Sequence, residues 1–227
     1  MDPKHRWLTA IWPRVRPWLP PPPATVLELG CGSLGGFVPA LRADGYEAIG
    51  ADPHAPDGPE YRRVEFERAE LPSDADAVVA SLSLHHVADP GEVLDRVAGV
   101  LRPEGRVVVV EWDWESFDEP TARWGFDRLD HATEDRGWLH GAHERWVASG
   151  QPWERYLRDW ATGHGLHGAG TLLAALDQRF EPEVSERGAY LFPELPGATE
   201  DDERRAIEAG LIRAVRVDYV GRLRAAR

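Results

Sequence analysis

The chain has 227 residues, 26 Lys+Arg against 39 Asp+Glu, and a formal net charge of −13. That length suits one large α/β domain or two small ones, and a content of 42% hydrophobic and 29% charged residues excludes a disordered chain. The acidity argues against a protein that grips nucleic-acid backbones through a broad basic face, and the single cysteine, Cys31, excludes an intrachain disulfide and makes the cytoplasm the expected location.

In chain order, residues 1–23 predict an N-terminal helical arm broken by prolines, followed by a stiff linker at Pro20 to Pro23. The apolar stretch from Trp7 to Leu19 is interrupted by Pro13, Arg14, Arg16 and Pro17, so neither a signal peptide nor a membrane span is expected there. A single domain is expected over 24–227. Strands are predicted at Thr25–Leu29, Tyr46–Gly50, Arg62–Phe66, Asp76–Ser81 and Arg106–Glu111, with a helix near Leu34–Arg42. Asp89 as N-cap, Pro90 in the first turn, and Val93, Leu94, Val97, Val100 and Leu101 at helical spacing mark another helix before the last of these strands. Such alternation of strands and helices defines an α/β fold, a doubly wound and mostly parallel sheet covered on both faces.

Beyond Glu111 the pattern changes. Seven of the ten tryptophans lie between Trp112 and Trp160, and Trp153, Tyr156, Leu157 and Trp160 fall on one helical face. Residues 112–178 are therefore expected to be a Trp-rich helical insertion, either core or a lid over an acceptor site. Strands return at Gly188–Phe192 and Arg213–Gly221, separated by a helix that Thr199 caps and Gly210 ends.

Gly30, Gly32 and Gly35 follow the first strand as G-x-G-x-x-G, and Asp52 stands 22 residues after Gly30 at the end of the second. Glycines allow a tight turn and close approach of a ligand, and the acid can accept from ribose hydroxyls. Glu28 discriminates among adenosine cofactors: a carboxylate beside this turn opposes a pyrophosphate and favours the sulfonium and ammonium of S-adenosylmethionine. His85 and His86 follow the fourth strand at the edge where open α/β sheets bind ligands, so either can serve as a general base or belong to a packing and capping turn. Trp112, Asp113 and Trp114 leave the fifth strand at the same edge and suit an amine or a flat aromatic acceptor. His140 with His143, and His164 with His167, are helical pairs lacking a third ligand, so no metal is expected.

"VLELGCG", "AIGADP", "FERAELP" and "DADAVVASLSLHHVADPGEVLDRVAGVLRPEGRVVVVE" together resemble the class I S-adenosylmethionine-dependent methyltransferases, in particular the small-molecule branch called methyltransferase type 11, over Ala24 to Glu111. The resemblance implies a seven-stranded Rossmann-like methyltransferase fold with the last strand antiparallel, a helical insertion after the fifth strand, and S-adenosyl-L-methionine as cofactor. It implies that Glu28, Gly30, Cys31 and Gly32 cradle the methionine part and that Asp52 binds the ribose. Pro53 would flank the adenine, Glu67 would lie near its amino group, and Ser81 would occupy the cofactor-facing end of the fourth strand. Leu34 stands where the family has its third glycine, which makes the turn one residue longer. The expected activity is methyl transfer to an oxygen or nitrogen of a small-molecule acceptor, with no nucleic-acid or membrane partner and the oligomeric state open. The alternatives are a nicotinamide-dependent oxidoreductase using the same glycine turn and a non-catalytic cofactor-binding or scaffold protein of the same fold.

Overall fold

The computed structural model describes residues 2–130 and 136–224; residues 131–135 of the predicted insertion and 225–227 of the predicted domain lie outside the described residues. Seven strands, β1 (Thr25–Leu29), β2 (Glu47–Ala51), β3 (Tyr61–Arg62), β4 (Ala75–Ser81), β5 (Leu101–Trp112), β6 (Phe180–Gly188) and β7 (Arg216–Leu223), make one sheet in the order β3-β2-β1-β4-β5-β7-β6. β1 to β5 pair in parallel, and β7 runs antiparallel to both β5 and β6. The helices are α1 (Pro3–Val15), α2 (Val38–Ala43), α3 (Pro90–Val100), α4 (Glu119–Phe126), α5 (Trp138–Ser149), α6 (Trp153–Gly163), α7 (Ala169–Arg179) and α8 (Glu200–Glu208).

The period-two alternation of β5 sorts the core into two layers. Val108, Val110 and Trp112 face the layer that holds α1, α2 and the Trp-rich helices, whereas Val107 and Val109 face α3 and α7. Local chemistry fixes the helix ends. Asp89 accepts from the Gly91 and Glu92 N–H groups at 2.7 and 3.2 Å, and Thr199 and Asp202 form a reciprocal capping box at α8.

Several predicted elements shift, each for a physical reason. α1 is not broken at Pro13: it runs to Val15, and Trp7, Ile11 and Val15 recur every fourth residue as a buried stripe in the same core as β1 and β4. The residues read as an arm are thus packed on the domain, and the Tyr46 hydroxyl ties down the proline run by donating to Pro20 O at 2.8 Å. The helix expected from Leu34 begins at Val38, because Gly35 and Gly36 adopt left-handed φ of +79° and +56° and prolong the turn. The third strand shrinks to Tyr61–Arg62, with a single 3-10 turn at Phe66–Arg68. The strand expected at Gly188–Phe192 lies earlier, at Phe180–Gly188: the buried carboxylate of Glu203 accepts from the N–H groups of Tyr190, Leu191 and Phe192 and holds them out of the sheet. The last strand starts at Arg216 and ends at Leu223, later than the Arg213–Gly221 read from the sequence.

Candidate active site

The strand register builds the site. Leu29 pairs with Ala51 on one side and Ala80 on the other, and Ser81 pairs with Val110, so Gly30, Asp52 and Leu82 leave the sheet at one edge, level with Glu111, which still pairs with Val217 of β7. β1 lies where the strand order reverses, the position at which open α/β sheets open a crevice.

The glycine turn is shaped by contact. A Cβ on Gly30 (φ +77°) would stand 2.2 Å from Ser83 Cβ, so only glycine lets the turns after β1 and β4 meet. The Ser83 hydroxyl locks that contact by donating to Leu29 O at 2.9 Å, and Leu82 is held at φ +52°, a conformation that L-residues avoid. Gly32 (φ +62°) has the opposite surroundings, since a Cβ there would meet nothing within 4 Å. That open space belongs to a cavity of about 410 Å³ whose wall includes Glu28, Gly30, Cys31, Gly32, Ser81, His85, His86 and Trp112.

Glu28 is 1% exposed, and its Oε2 accepts from Phe37 N–H at 2.7 Å and Val38 N–H at 3.1 Å. Oε1 makes no hydrogen bond, and burial pushes the carboxyl up to about 8 despite those two donors. The free N–H groups at the start of α2, where a pyrophosphate would sit, are taken by the protein's own acid. A buried carboxylate that lacks a cation on its second oxygen instead fits a cationic ligand. Cys31 is packed against Gly50, and burial pushes its thiol up to about 12, so its part is steric.

Asp52 stands just past β2 with Oδ2 accepting from Gly32 N–H at 3.0 Å and Oδ1 from His54 N–H at 2.6 Å, which fixes the carboxylate beside the glycine turn. Pro53 follows it, and Glu67 sits half-buried on the Phe66–Arg68 turn. None of these three lines the cavity, which covers the other end of the crevice.

The turn after β4 holds the two histidines differently. His85 is 5% exposed, and its Nδ1 lies 2.5 Å from Oε2 of Glu111, itself 2% exposed at the end of β5. Oε1 of Glu111 accepts from Ser83 N–H at 2.8 Å and Leu84 N–H at 2.6 Å, so the carboxylate is held and Nδ1 is the donor. Nε2 of His85 has no partner among the described residues. His86 stacks on it with ring centroids 4.1 Å apart, and burial together with its neighbour pushes His86 down to about 4. His86 thus stays neutral and is a weak base, whereas His85 is oriented as the histidine of a catalytic triad is.

Trp112, Asp113 and Trp114 part company. Trp112 is 3% exposed in the cavity wall, and its indole N–H is buried without an acceptor. Asp113 turns away to Arg187 and to the Ser116 hydroxyl, which donates at 2.6 Å. Trp114 lies off the cavity and donates to His167 O at 3.2 Å; His167 N–H in turn donates to His85 O at 3.0 Å, so this pair braces the histidine turn.

Other walls come from segments that the sequence reading did not join to the site. Lys4, Trp7 and Leu8 of α1 line the cavity, and Trp7 closes on β4 by donating to Ser81 Oγ at 3.0 Å. Trp138, Arg145 and Trp160 come from α5 and α6, and Tyr190 and Glu194 from the segment that Glu203 holds. Glu194 Oε2 accepts from Leu139 N–H at 3.2 Å at the start of α5, and burial pushes that carboxyl up to about 7. Other tryptophans of the insertion are core: Trp153 is fully buried and donates to Phe117 O at 2.6 Å. The four-residue stripe of α1 was a usable signal for its burial, but nothing local marked Tyr190 or Glu194.

Among the described residues no group of His, Cys, Asp and Glu is arranged to hold a metal ion, and no helix is long and apolar enough to cross a membrane.

Sheet order, glycine turn and a crevice that suits a cationic nucleoside define an open α/β cofactor-binding enzyme domain. A family described as "Methyltransferase domain" matches residues 4–164, more than two thirds of the chain, and the protein belongs to that family as a class I S-adenosylmethionine-dependent methyltransferase. Its cofactor is S-adenosyl-L-methionine, and the oxidoreductase and non-catalytic alternatives fall away. Among solved structures, the chain is similar to an S-adenosylmethionine-dependent methyltransferase from Mesorhizobium loti, with 24% identity and a TM-score of 0.57 over 94% of this chain and 97% of that one. It is also similar to geranyl diphosphate C-methyltransferase from Streptomyces coelicolor A3(2), solved with geranyl diphosphate and S-adenosyl-L-homocysteine, with 16% identity and a TM-score of 0.54 over 98% and 80% of the two chains. A curated relative, the "uncharacterized 37.1 kDa protein in transposon TN4556" of Streptomyces fradiae, is 33% identical over 111 residues, and the match spans 42% of this chain and only 32% of that protein.

Proposed function

We propose that this protein methylates a hydroxyl oxygen of a small, flat molecule, with His85 as general base and Glu111 as the residue that positions it. The observation that carries this reading is the buried His85–Glu111 pair on a residue that lines the cavity, which leaves Nε2 as the ring nitrogen without a partner among the described residues. Glu28, Gly30, Cys31, Gly32 and Ser81 would hold the methionine end of the cofactor, Asp52 its ribose, and Pro53 and Glu67 the adenine. The cofactor held by these residues would supply an electrophilic methyl group on a sulfonium, with S-adenosylhomocysteine as the leaving group that keeps the bonding pair. His85 Nε2 takes the hydroxyl proton, and the negative Glu111 stabilises the imidazolium that results. The Trp-rich helices act with α1 as a lid that keeps water from the reacting oxygen, and the single buried cysteine suits a cytoplasmic enzyme. An amine acceptor is less well served, because Asp113, the carboxylate expected to hold it, is committed to Arg187.

The test is methylation of a panel of hydroxyl and amine compounds by the wild type and by His85→Ala. Hydroxyl acceptors should dominate the active set and their turnover should fall by about 10²–10⁴ in the variant. An unchanged rate in His85→Ala would overturn the assignment.

A further inference from the structure

The acceptor end of the cavity has a chemical character that narrows the substrate, given the oxygen-methylation reading above. Trp112 is the centre of an aromatic wall: Tyr190 stacks on it at 5.9 Å and 11°, Trp138 lies at 5.1 Å and Trp160 at 6.1 Å between ring centroids. These are contacts among the rings themselves, so the four side chains form one packed aromatic surface, and the parts of it that line the cavity suit the face or edge of an aromatic ring. Beside them the buried indole N–H of Trp112 has no acceptor among the described residues.

Charge supplies the second observation. Arginines here usually meet an acid, as Arg14 meets Glu200, Arg16 meets Asp44, and Arg136 meets Glu144. Lys4, the only lysine, and Arg145 lie on different helices, both line this cavity, and among the described residues neither side chain makes an ion pair. Two uncommitted cations at one cavity in a chain of net charge −13 attract an anion. Of the acids that line the cavity, Glu28 stands by the glycine turn and is given to the cofactor above, and Glu194 accepts from Leu139 N–H at the start of α5; Glu111 behind them pairs with His85.

We propose that the acceptor is an aromatic hydroxy-carboxylate, with its ring against Trp112 and Tyr190, its hydroxyl at His85 and its carboxylate at Lys4 and Arg145. The hydroxyl loses its proton to His85 and gains the methyl group, so the product is an aromatic ether that keeps its carboxylate.

Three ring-matched probes separate the possibilities: 4-hydroxybenzoate, phenol and tyramine. Their binding to the S-adenosylhomocysteine complex is read from quenching of tryptophan fluorescence, and their methylation is read with S-adenosylmethionine. Hydroxybenzoate should bind at least tenfold more tightly than phenol, with tyramine the weakest. The Lys4→Ala/Arg145→Ala double variant should erase that preference by weakening hydroxybenzoate alone, with S-adenosylhomocysteine affinity unchanged. The proposal is overturned by equal or better binding of phenol or tyramine, by binding of none of the three, or by a double variant that loses S-adenosylhomocysteine affinity, which would assign the cations to the cofactor. A hydroxybenzoate preference that survives while His85→Ala leaves turnover unaffected would instead defeat only the general-base reading.

Discussion

Glu28 at the end of β1 and Glu111 at the end of β5 are nearly the same device with different completions. Each is buried, and each accepts from two successive backbone N–H groups of a distant turn, Phe37 and Val38 for Glu28, Ser83 and Leu84 for Glu111. The second oxygen of Glu111 meets His85, whereas that of Glu28 packs against Gly36 and makes no hydrogen bond or ion pair among the described residues. A carboxylate completed inside the fold positions a neighbour; one left incomplete at a cavity waits for a cation. The contrast supports the proposed division, with proton transfer at the β5 end and the cofactor at the β1 end.

The sharpest way to break that contrast is Glu111→Gln. The amide oxygen can keep the backbone donors, but its NH₂ forces Nδ1 of His85 to accept and puts the proton on Nε2. Turnover of a hydroxyl acceptor should drop by roughly 10³–10⁴ with cofactor affinity unchanged, as expected when a triad histidine is held in the wrong tautomer. Loss of cofactor affinity without loss of turnover would reverse the two assignments. At the other end, Asp52→Ala frees the Gly32 and His54 N–H groups and removes the proposed ribose acceptor, and should weaken S-adenosylmethionine binding about 10–100-fold by calorimetry.

A smaller effect follows from pH. The Glu28 carboxyl rises from 4.5 in the unfolded chain to about 8 in the cofactor-free fold, so the folded state holds the extra proton between those values. Its stabilising contribution is therefore full below pH 4.5 and lost as pH climbs through about 8. His86, pushed down from 6.5 to about 4, acts in the opposite sense and costs stability as pH falls across that range. Melting temperature should peak on the mildly acidic side, and Glu28→Gln should flatten the fall above the peak. The smallest change should come from Trp114→Phe, which removes one hydrogen bond to His167 O and should cost about 1 kcal/mol in denaturant unfolding.

The same two ends differ in how much of them the sequence shows. Around β1 the chemistry is local: Glu28, the glycines and Asp52 lie within one strand, turn, helix and strand unit, so spacing alone reports the crevice. The sheet was legible for the same reason, because buried parallel strands such as Val107–Val110 are continuous apolar runs. β6 escaped detection because it is a charged edge strand that carries Pro182, with one buried residue in nine. Around β5 the site is assembled by packing. His85 and Glu111 are 26 residues apart, and Lys4, Arg145 and Tyr190 arrive on three separate segments. Residue parity on β5 sends Trp112 into the aromatic layer, which three adjacent candidate residues could not reveal without the direction of the strand faces.

The most direct test counts protons released when S-adenosylmethionine binds, by calorimetry at pH 7 in buffers of different ionisation enthalpy. Wild type and Glu111→Gln should each release close to one proton as Glu28 ionises beside the cation, and Glu28→Gln should release none. Equal release from Glu28→Gln and wild type, or no release from any of them, would contradict the division of labour between the two carboxylates.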